Sequence, residues 1–513
     1  MTQEPSNNLR LAKNTLTLYF RMLMSMLVSL YTSRVTLEVL GVEDYGIYNI
    51  VAGIVVLFSF LNGTMATATQ RFLSFEIGKG NIDKLIKTFS VAFWIHIIIA
   101  LMVAVVSEVG GLWLLYNKMV IPESRMFAAL IVFQVSILTT IINITQVPYN
   151  AAIVAHEKFV FFAYLSICDV VLKLLLVWLL QWINSDKLIL YAILMLGTSI
   201  ISITIARIYS IKNFKECHIH KIWDSKIFKE LFSFAGWNLS AQIADIGRTQ
   251  GVNIILNIFF GPLLNAARGI SVTVNGVITQ FVTNFMAAMN PQIVKYYANG
   301  EKESMFQLVR RGCKYSSFLL LVLISPVLFE THFILNLWLK NPPLYAAIFC
   351  RLILVASLIN ALSSTIFFAV MASGQIKRYQ LVMSGMILTV PVCVYIGYKF
   401  GLPSYSCLFF EIFACVLSLF LRPLLSREVT GFPIKKYLTE SVFPVILVAV
   451  ISLPLPAFLY SVMSPGWIRF LVVGLVCEIC LIGTIYFLGM SKSEKFGLIN
   501  FVRNKYFHQV KSI

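Results

Sequence analysis

Apolar runs of about 20 residues recur along the whole chain, separated by short polar segments. A run of this length, wound as an α-helix, is long enough to span the ~30 Å hydrocarbon core of a bilayer. The runs are continuous and do not alternate over ~10 residues, as the strands of a membrane β-barrel do. We therefore predict an all-α polytopic membrane protein with about fourteen transmembrane helices. The predicted spans are residues 15–37, 47–70, 88–116, 126–150, 160–183, 188–210, 231–259, 264–289, 314–338, 345–372, 380–400, 405–425, 441–462 and 467–489.

The pattern also repeats at a lag of about 220 residues, as it does in membrane proteins built from two related halves. Three pairs of segments match in the same order, with Gly41 aligned to Gly261 in the first pair. The pairs are residues 37–54 with 257–272, 75–87 with 296–309, and 152–159 with 369–379. The repeat predicts two six-helix lobes, at residues 1–228 and 229–426, followed by two further spans and a cytoplasmic tail at 427–513. A parallel repeat relates the lobes by an axis along the membrane normal, and substrate is expected between them.

Composition agrees with a membrane protein, because 58% of the residues are hydrophobic and only 12% are charged. The formal net charge of +18 raises the question of nucleic-acid binding. However, Lys and Arg concentrate in segments that share one side of the membrane in the predicted map, chiefly 71–87, 207–229, 295–314 and 422–436. Because basic loops face the cytoplasm, we predict that both termini are cytoplasmic and that nucleic acid is not a partner. The polar first residues show no cleavable signal pattern, so the first apolar run is expected to remain as a span.

Charged residues inside predicted spans are functional candidates, because an arginine at the centre of a membrane helix costs ~2.5–3.5 kcal/mol on insertion scales. The basic candidates, which we assign to substrate binding, are Arg21, Arg34, Lys173, Arg248, Arg268 and Arg351. The acidic candidates, which we assign to coupling, are Asp169, Asp245, Glu411 and Glu478. The excess of cations favours an anionic substrate, and guanidinium groups bind phosphate oxygens in pairs of parallel hydrogen bonds.

Structural roles compete with these assignments. Asp169 and Lys173, like Arg34 and Glu38, are four residues apart, and such residues share a helix face where they can neutralise each other. Asp245 and Arg248 are three residues apart, in an unusually polar, glycine-interrupted helix. Arg268 and Arg351 can also extend to the membrane edge. Polar span residues can line a wet cavity or hydrogen-bond between helices; they are Asn62, Thr64, Thr67, Thr69, Gln70, Gln242, Asn253, Asn275, Gln280 and Asn284.

Neither catalytic nor metal-binding motifs emerge from the sequence. All predicted outside loops are short, and we find no phosphate-binding glycine-rich loop, no HExxH and no GxSxG with a plausible triad. His218 and His220 form a pair in a basic loop, which is too few ligands for a zinc site. Cys477 and Cys480 lie in the last apolar run, where packing is the expected role. We therefore predict no enzyme activity, no metal and no cofactor.

Two regions carry a family resemblance. LGVEDYGIYNIV and TQRFLSFEIGKG form the first, and FAGWNLSAQIADIGRTQGVNIILNIFFGPLLNAARGI with MNPQIVKYYANGE forms the second. The chain resembles the O-antigen type polysaccharide flippases of the multidrug/oligosaccharidyl-lipid/polysaccharide (MOP) exporter superfamily. The resemblance implies a bacterial inner-membrane protein of polysaccharide biosynthesis that moves an undecaprenyl-pyrophosphate-linked oligosaccharide from the cytoplasmic to the outer leaflet by alternating access. It implies cavity cations on the first, seventh and eighth spans, where Arg21, Arg248 and Arg268 lie.

The resemblance further implies the polyprenyl-linked glycan and membrane lipid as partners, with other polysaccharide assembly proteins as candidates and an H⁺ or Na⁺ gradient as a candidate energy source. Two other functions stay open. A cation-coupled multidrug antiporter of the same superfamily should have an acidic, aromatic cavity, whereas the span charges here are mostly basic. A membrane glycan polymerase or ligase needs a sizeable outside loop with catalytic groups, which the predicted map does not contain.

Overall fold

The computed structural model describes the backbone of residues 4–57, 60–156 and 158–496. Side chains are described within these ranges, with the exception of those at 4–25, 57, 60–64, 66, 67, 71, 78, 159, 160, 162, 163, 233–241, 287, 288, 290, 291, 294, 295 and 298. All regular secondary structure in these ranges is helical.

The helices follow one another with short connections. The first ten are α1 (Glu4–Leu57), α2 (Phe60–Lys79), α3 (Ile82–Val106), α4 (Leu112–Asn117), α5 (Met126–Ala155), α6 (Phe159–Trp182), α7 (Lys187–Asn213), α8 (Ser225–Phe260), α9 (Pro262–Ala298) and α10 (Lys302–Phe329). The others are α11 (Thr331–Leu339), α12 (Ala346–Ser364), α13 (Ile366–Ser373), α14 (Lys377–Lys399), α15 (Ser406–Thr430), α16 (Ile434–Tyr437), α17 (Phe443–Ser452), α18 (Pro454–Val462) and α19 (Trp467–Thr484).

The prediction of an all-α polytopic membrane protein is confirmed. Among the described residues, eleven helical segments are long and apolar enough to cross a membrane. One of them, Met26–Val56, contains two predicted spans in part, because α1 is kinked at Gly41. The helices α8 and α9 lie outside the eleven and coincide with the predicted spans at 231–259 and 264–289. These are the helices that carry Arg248 and Arg268.

Gly41 and Gly261, which the repeat aligned, adopt the same backbone conformation. Gly41 has φ 77° and ψ 170° within α1, and Gly261 has φ 77° and ψ −178° between α8 and α9. This region of backbone space is accessible essentially only to glycine, because a Cβ atom would clash there. Each glycine therefore breaks a long helical run, and the local match of the first repeat pair extends from sequence to backbone.

The chain folds into two compact units. Unit 1 comprises Met1–Thr273, Asn341–Ala346 and Gln380–Cys407, and unit 2 comprises Val274–Lys340, Ala347–Tyr379 and Leu408–Ile513. In unit 1, α8 packs against α2 and α1, although the sequence placed α8 in the second lobe. The lobe boundaries at 228 and 426 stay predictions.

Each unit has apolar cores of its own. In unit 1, one core cluster joins α2, α3 and α5 around Met65, Ile95 and Ile144. A second joins α3, α5 and the segment after α7 around Phe89, Tyr149 and Phe214. In unit 2, one core cluster is built from α10, α13 and the segment 432–442, and the other from α10, α17 and α19.

Large apolar side chains also face outward along the helices. Phe127 is 71% exposed, Ile468 75% and Phe487 72%. Exposed apolar surface of this extent marks an interaction with a membrane or another protein. A lipid environment accounts for it, because these side chains lie on segments with the length and hydropathy of membrane spans.

An ionic cluster joins three elements at one end of unit 1. Arg125 contacts Asp44 at 2.5 Å and Asp186 at 2.6 Å. Asp186 also caps the start of α7 by accepting hydrogen bonds from the backbone N–H groups of Leu188 and Ile189. The hydrogen bond from Arg125 holds the pKa of Asp186 below its usual value. This cluster fixes the relative positions of α1, α5 and α7.

A buried ion pair braces the end of α10 in unit 2. Arg469 donates to Glu330 through two parallel hydrogen bonds of 2.7 and 3.0 Å, and its guanidinium lies 4.4 Å from the centre of the Tyr460 ring. Glu330 is 2% exposed and Arg469 is 8% exposed. Spacing along the sequence could not indicate this pair, because its members are 139 residues apart.

Candidate substrate-binding site

The polar stretch that spans the end of α8 and the start of α9 contains the two described arginines with the strongest sequence support. Arg248 forms an ion pair with Asp245 at 2.9 Å, one turn away on the same helix. The Arg248 side chain is 28% exposed and that of Asp245 is 63% exposed. Because exposed ion pairs contribute little stability, this contact by itself adds little to the stability of α8.

Three asparagines in the same stretch bind one another. Asn257 donates to Asn265 at 3.0 Å, and Asn265 donates to the Asn253 side chain at 2.7 Å. The side-chain amide oxygen of Asn257 also accepts a hydrogen bond from the backbone N–H of Val120 at 2.9 Å. Asn257 and Asn265 are fully buried. The network therefore holds the α8–Gly261–α9 turn together. Of the two roles considered for Asn253, cavity lining and hydrogen bonding between helices, the hydrogen bonding is observed.

Arg268 lies one turn beyond this network on α9. It is only 4% exposed, and its Nη1 lies 3.9 Å from the Sγ of Cys407. The burial shows that Arg268 does not extend to the membrane edge. A buried guanidinium in a low-dielectric setting interacts strongly with any anion that reaches it, since Coulomb attraction scales inversely with the dielectric constant.

The second arm of α1 approaches the start of α9 closely. A side chain at Gly269 would lie 3.0 Å from the Asn49 amide nitrogen, and that amide donates to the Tyr45 carbonyl at 2.7 Å. Next to this contact, Gly53 faces the side chain of Gln250 on α8. Polar amides are thus packed between α1 and the arginine-bearing helices, which fixes the backbone on which Arg248 and Arg268 are mounted.

Arg351 has a different environment from Arg268. Its Nε donates to the Leu328 carbonyl at 3.0 Å and to the Thr331 hydroxyl at 3.2 Å, and its Nη2 reaches the Phe329 carbonyl at 3.4 Å. The last carbonyls of a helix lack partners within the helix and attract cations. Arg351 therefore caps α10, and we do not include it in the proposed substrate site.

The two predicted i,i+4 pairs are Asp169 with Lys173 and Arg34 with Glu38. Asp169 accepts a hydrogen bond from Ser202 on α7, while Lys173 is exposed on α6. Arg34 is half-buried and Glu38 is exposed in the described part of α1. Helical spacing alone therefore does not establish that these residues pair.

The other candidates are scattered. Glu411 is 5% exposed, Glu478 is half-buried on α19, and the Arg21 side chain lies outside the described residues. Of the polar span residues, Asn275 accepts from Ser357 at 2.7 Å and Gln280 donates to Asn284 at 3.2 Å. The side chains of Asn62, Thr64 and Thr67 lie outside the described residues as well.

Within the described residues, no group of three or more His, Cys, Asp or Glu side chains is arranged to hold a metal ion. The His220 carbonyl accepts a hydrogen bond from Trp94, and Cys477 is buried in the core of unit 2. Neither motif thus gains a further ligand in the described part of the chain.

Comparison with solved structures identifies the fold. The chain is similar to the lipid II flippase MurJ in an inward closed conformation, with a TM-score of 0.68 at 13% identity over 92% of this chain and 97% of that one. It is also similar to an inward-facing multidrug resistance MATE family transporter of the MOP superfamily, with a TM-score of 0.62 at 12% identity over 80% and 97%. A third similar structure is a MOP superfamily transporter from Pyrococcus furiosus, described as having a binding pocket of reverse polarity. It matches with a TM-score of 0.58 at 11% identity, over 81% of this chain and 95% of that one.

At these identities the likeness shows the fold alone, and that fold is shared with the lipid II flippase MurJ and the MATE transporters. No protein-family model matches the sequence. No curated protein matches it either.

Proposed function

We propose that the protein is a flippase that moves an undecaprenyl-pyrophosphate-linked oligosaccharide from the cytoplasmic to the outer leaflet. One observation favours this over the multidrug alternative. The lipid II flippase covers 92% of this chain, whereas the MATE transporter covers 80%. The greater coverage agrees with a chain that carries spans beyond a twelve-helix transporter, as the sequence predicted for residues 427–513.

The charges of the polar stretch support an anionic substrate. Arg248 and Arg268 are mounted on adjoining helices, one with an exposed carboxylate partner and the other buried. A pyrophosphate offers several acceptor oxygens, and guanidinium groups bind such oxygens with paired, charge-assisted hydrogen bonds. We propose that these two arginines, with Arg21, bind the pyrophosphate, while the isoprenoid tail stays in the lipid. Arg34 and Lys173 remain secondary candidates.

Energy coupling is the less defined part of the proposal. Asp169, Asp245, Glu411 and Glu478 are the acidic side chains in predicted spans, and an H⁺ or Na⁺ gradient would act through one of them. Asp245 is the most direct candidate because it contacts Arg248. An ion that binds at Asp245 would therefore act next to an arginine that we propose binds the substrate.

A cation-coupled multidrug antiporter is the second candidate function, and the MATE likeness at a TM-score of 0.62 supports it. The two functions predict opposite substrate charges. The glycan polymerase or ligase alternative gains no support, because the structural neighbours reported above are transporters and flippases.

Reconstitution in proteoliposomes tests the proposal. A polyprenyl-pyrophosphate oligosaccharide is placed in one leaflet, and its appearance in the other is measured with an impermeant glycosidase or lectin. We expect translocation by the wild type, loss of translocation in Arg248→Ala with normal folding, and partial activity in Arg248→Lys, which keeps the charge but not the paired geometry. Transport of cationic dyes without glycan translocation would overturn the proposal in favour of the antiporter.

A further inference from the structure

A polar cavity of about 460 Å³ lies in unit 2. Its volume is within the range of small-molecule sites. It is lined by residues of α10 and by the segment 488–494, at and just after the end of the last span. The cations Arg310, Arg311 and Lys314 line it together with the carboxylates Glu440 and Glu494 and the hydroxyl-bearing residues Thr439, Ser491 and Ser493.

The burial and hydrogen bonding of Arg310 are the main observations about this cavity. It is 5% exposed, with Nε bonded to Glu440 at 2.9 Å and Nη2 bonded to Glu303 at 3.1 Å. Its Nη1 is buried and has no hydrogen-bond acceptor among the described residues. Buried polar groups are nearly always satisfied, so an unsatisfied one calls for a ligand or an ion.

The two neighbouring cations differ in how closely they contact Glu494. Lys314 binds Glu494 at 2.6 Å, and both side chains are buried. Arg311 lies 3.6 Å from the same carboxylate, beyond hydrogen-bonding distance, and its side chain is 41% exposed. Although burial raises the pKa of Glu494, hydrogen bonds from Lys314 and Ser491 bring it below its usual value, so Glu494 is a carboxylate that balances Lys314.

We propose that this cavity binds a phosphate group, with Arg310 Nη1 and Arg311 as donors and the hydroxyl of Ser493 as a further contact. Arginine is suited to phosphate oxygens by its planar set of donors. The cavity lies at the end of the helices that the Lys and Arg distribution predicts to face the cytoplasm, where anionic lipid headgroups attract basic residues. A headgroup phosphate and free phosphate share this chemistry.

The test uses the purified full-length protein and two probes, phosphatidylglycerol in mixed micelles and inorganic phosphate. Binding is measured for the wild type, Arg311→Gln, Arg310→Lys and the control Lys436→Gln. Lys436 pairs with Glu303 at 3.2 Å on the same surface but does not line the cavity. Arg311 is exposed enough for its replacement to leave the fold intact, whatever the effect of Arg310→Lys.

We expect Arg311→Gln to weaken phosphatidylglycerol binding about tenfold, as loss of one charge-assisted hydrogen bond implies, and Lys436→Gln to leave it unchanged. Lipid binding that persists in excess inorganic phosphate assigns the site to a headgroup. If inorganic phosphate displaces the lipid, the cavity binds a phosphate group whether or not that group belongs to a lipid. Absence of binding for both probes, or equal binding by Arg311→Gln and Lys436→Gln, would overturn the proposal.

Discussion

Arg268 and Arg351 look alike in the sequence, because each lies near the start of a predicted span. In the structure, Arg268 is 4% exposed with Cys407 Sγ at 3.9 Å. Arg351 instead donates to the carbonyl groups at the end of α10. The comparison shows that arginines at similar positions in the sequence can have different surroundings: a helix end engages Arg351, whereas Arg268 is buried near the start of α9.

The largest effect expected from this comparison is on transport. If Arg268 binds the pyrophosphate as proposed, Arg268→Gln should lower glycan translocation at least about tenfold, since a charge-assisted hydrogen bond is worth ~1.5–3 kcal/mol. Arg351→Gln should lower translocation only in proportion to the amount of folded protein. Translocation per folded molecule in proteoliposomes measures both, and equal losses per folded molecule would remove the distinction.

The turn that precedes Arg268 provides the next test. Gly261→Ala should destabilise the protein by ~1–3 kcal/mol, because alanine is strained at this φ and ψ. Gly276→Ala, in the same helix α9, is the matched control: a Cβ there meets no atom within 4 Å, and alanine favours the helix. Thermal unfolding in detergent should separate the two variants, and an unchanged melting temperature in Gly261→Ala would contradict the assigned strain.

Arg351 should affect the stability of the protein rather than translocation per folded molecule. Arg351→Gln should cost ~1–3 kcal/mol, because the carbonyls of Leu328 and Phe329 lose a donor. Arg351→Lys should recover part of this, since a cation near a helix C-terminus is favourable. The melting temperature of the purified variants measures the effect, and a wild-type value in Arg351→Gln would argue against the capping role.

The smallest expected effect concerns the Arg125 cluster in unit 1. The folded-state pKa of Asp186 lies below its unfolded value, so its interactions stabilise the protein above the unfolded value and are lost as the pH falls through the folded one. Asp186→Asn should therefore be about 1 kcal/mol less stable near neutral pH. The difference in melting temperature between the two proteins should shrink on acidification to about pH 3. A difference that does not change with pH would exclude the carboxylate charge as its cause.

Hydrophobic patterning was sufficient to predict the all-α membrane fold, because the length and hydropathy of spans are local properties. The alignment of Gly41 with Gly261 was informative for a similar reason, since φ and ψ near 77° and 180° restrict a position to glycine. The division into units was less accessible. The helix α8 packs with α1 and α2, and contacts between distant segments leave no mark on a single sequence.

Side-chain roles were the least predictable part of the site. Spacing of four residues placed Asp169 and Lys173 on one helix face, but Ser202 on the next helix binds Asp169. The cap that Arg351 forms depends on α10 ending beside it, and the buried pair of Arg469 with Glu330 joins residues far apart in the chain. Asp245 and Arg248, three residues apart, do interact as their spacing suggests.

The central claim is that buried and partly buried arginines recognise a pyrophosphate. The most direct measurement compares translocation of two lipids that carry the same oligosaccharide and polyprenyl chain, one linked through pyrophosphate and the other through a neutral ether. The account predicts that the wild type moves the pyrophosphate lipid much faster, and that Arg248→Ala abolishes this preference. Equal rates for the two lipids in the wild type would contradict the account.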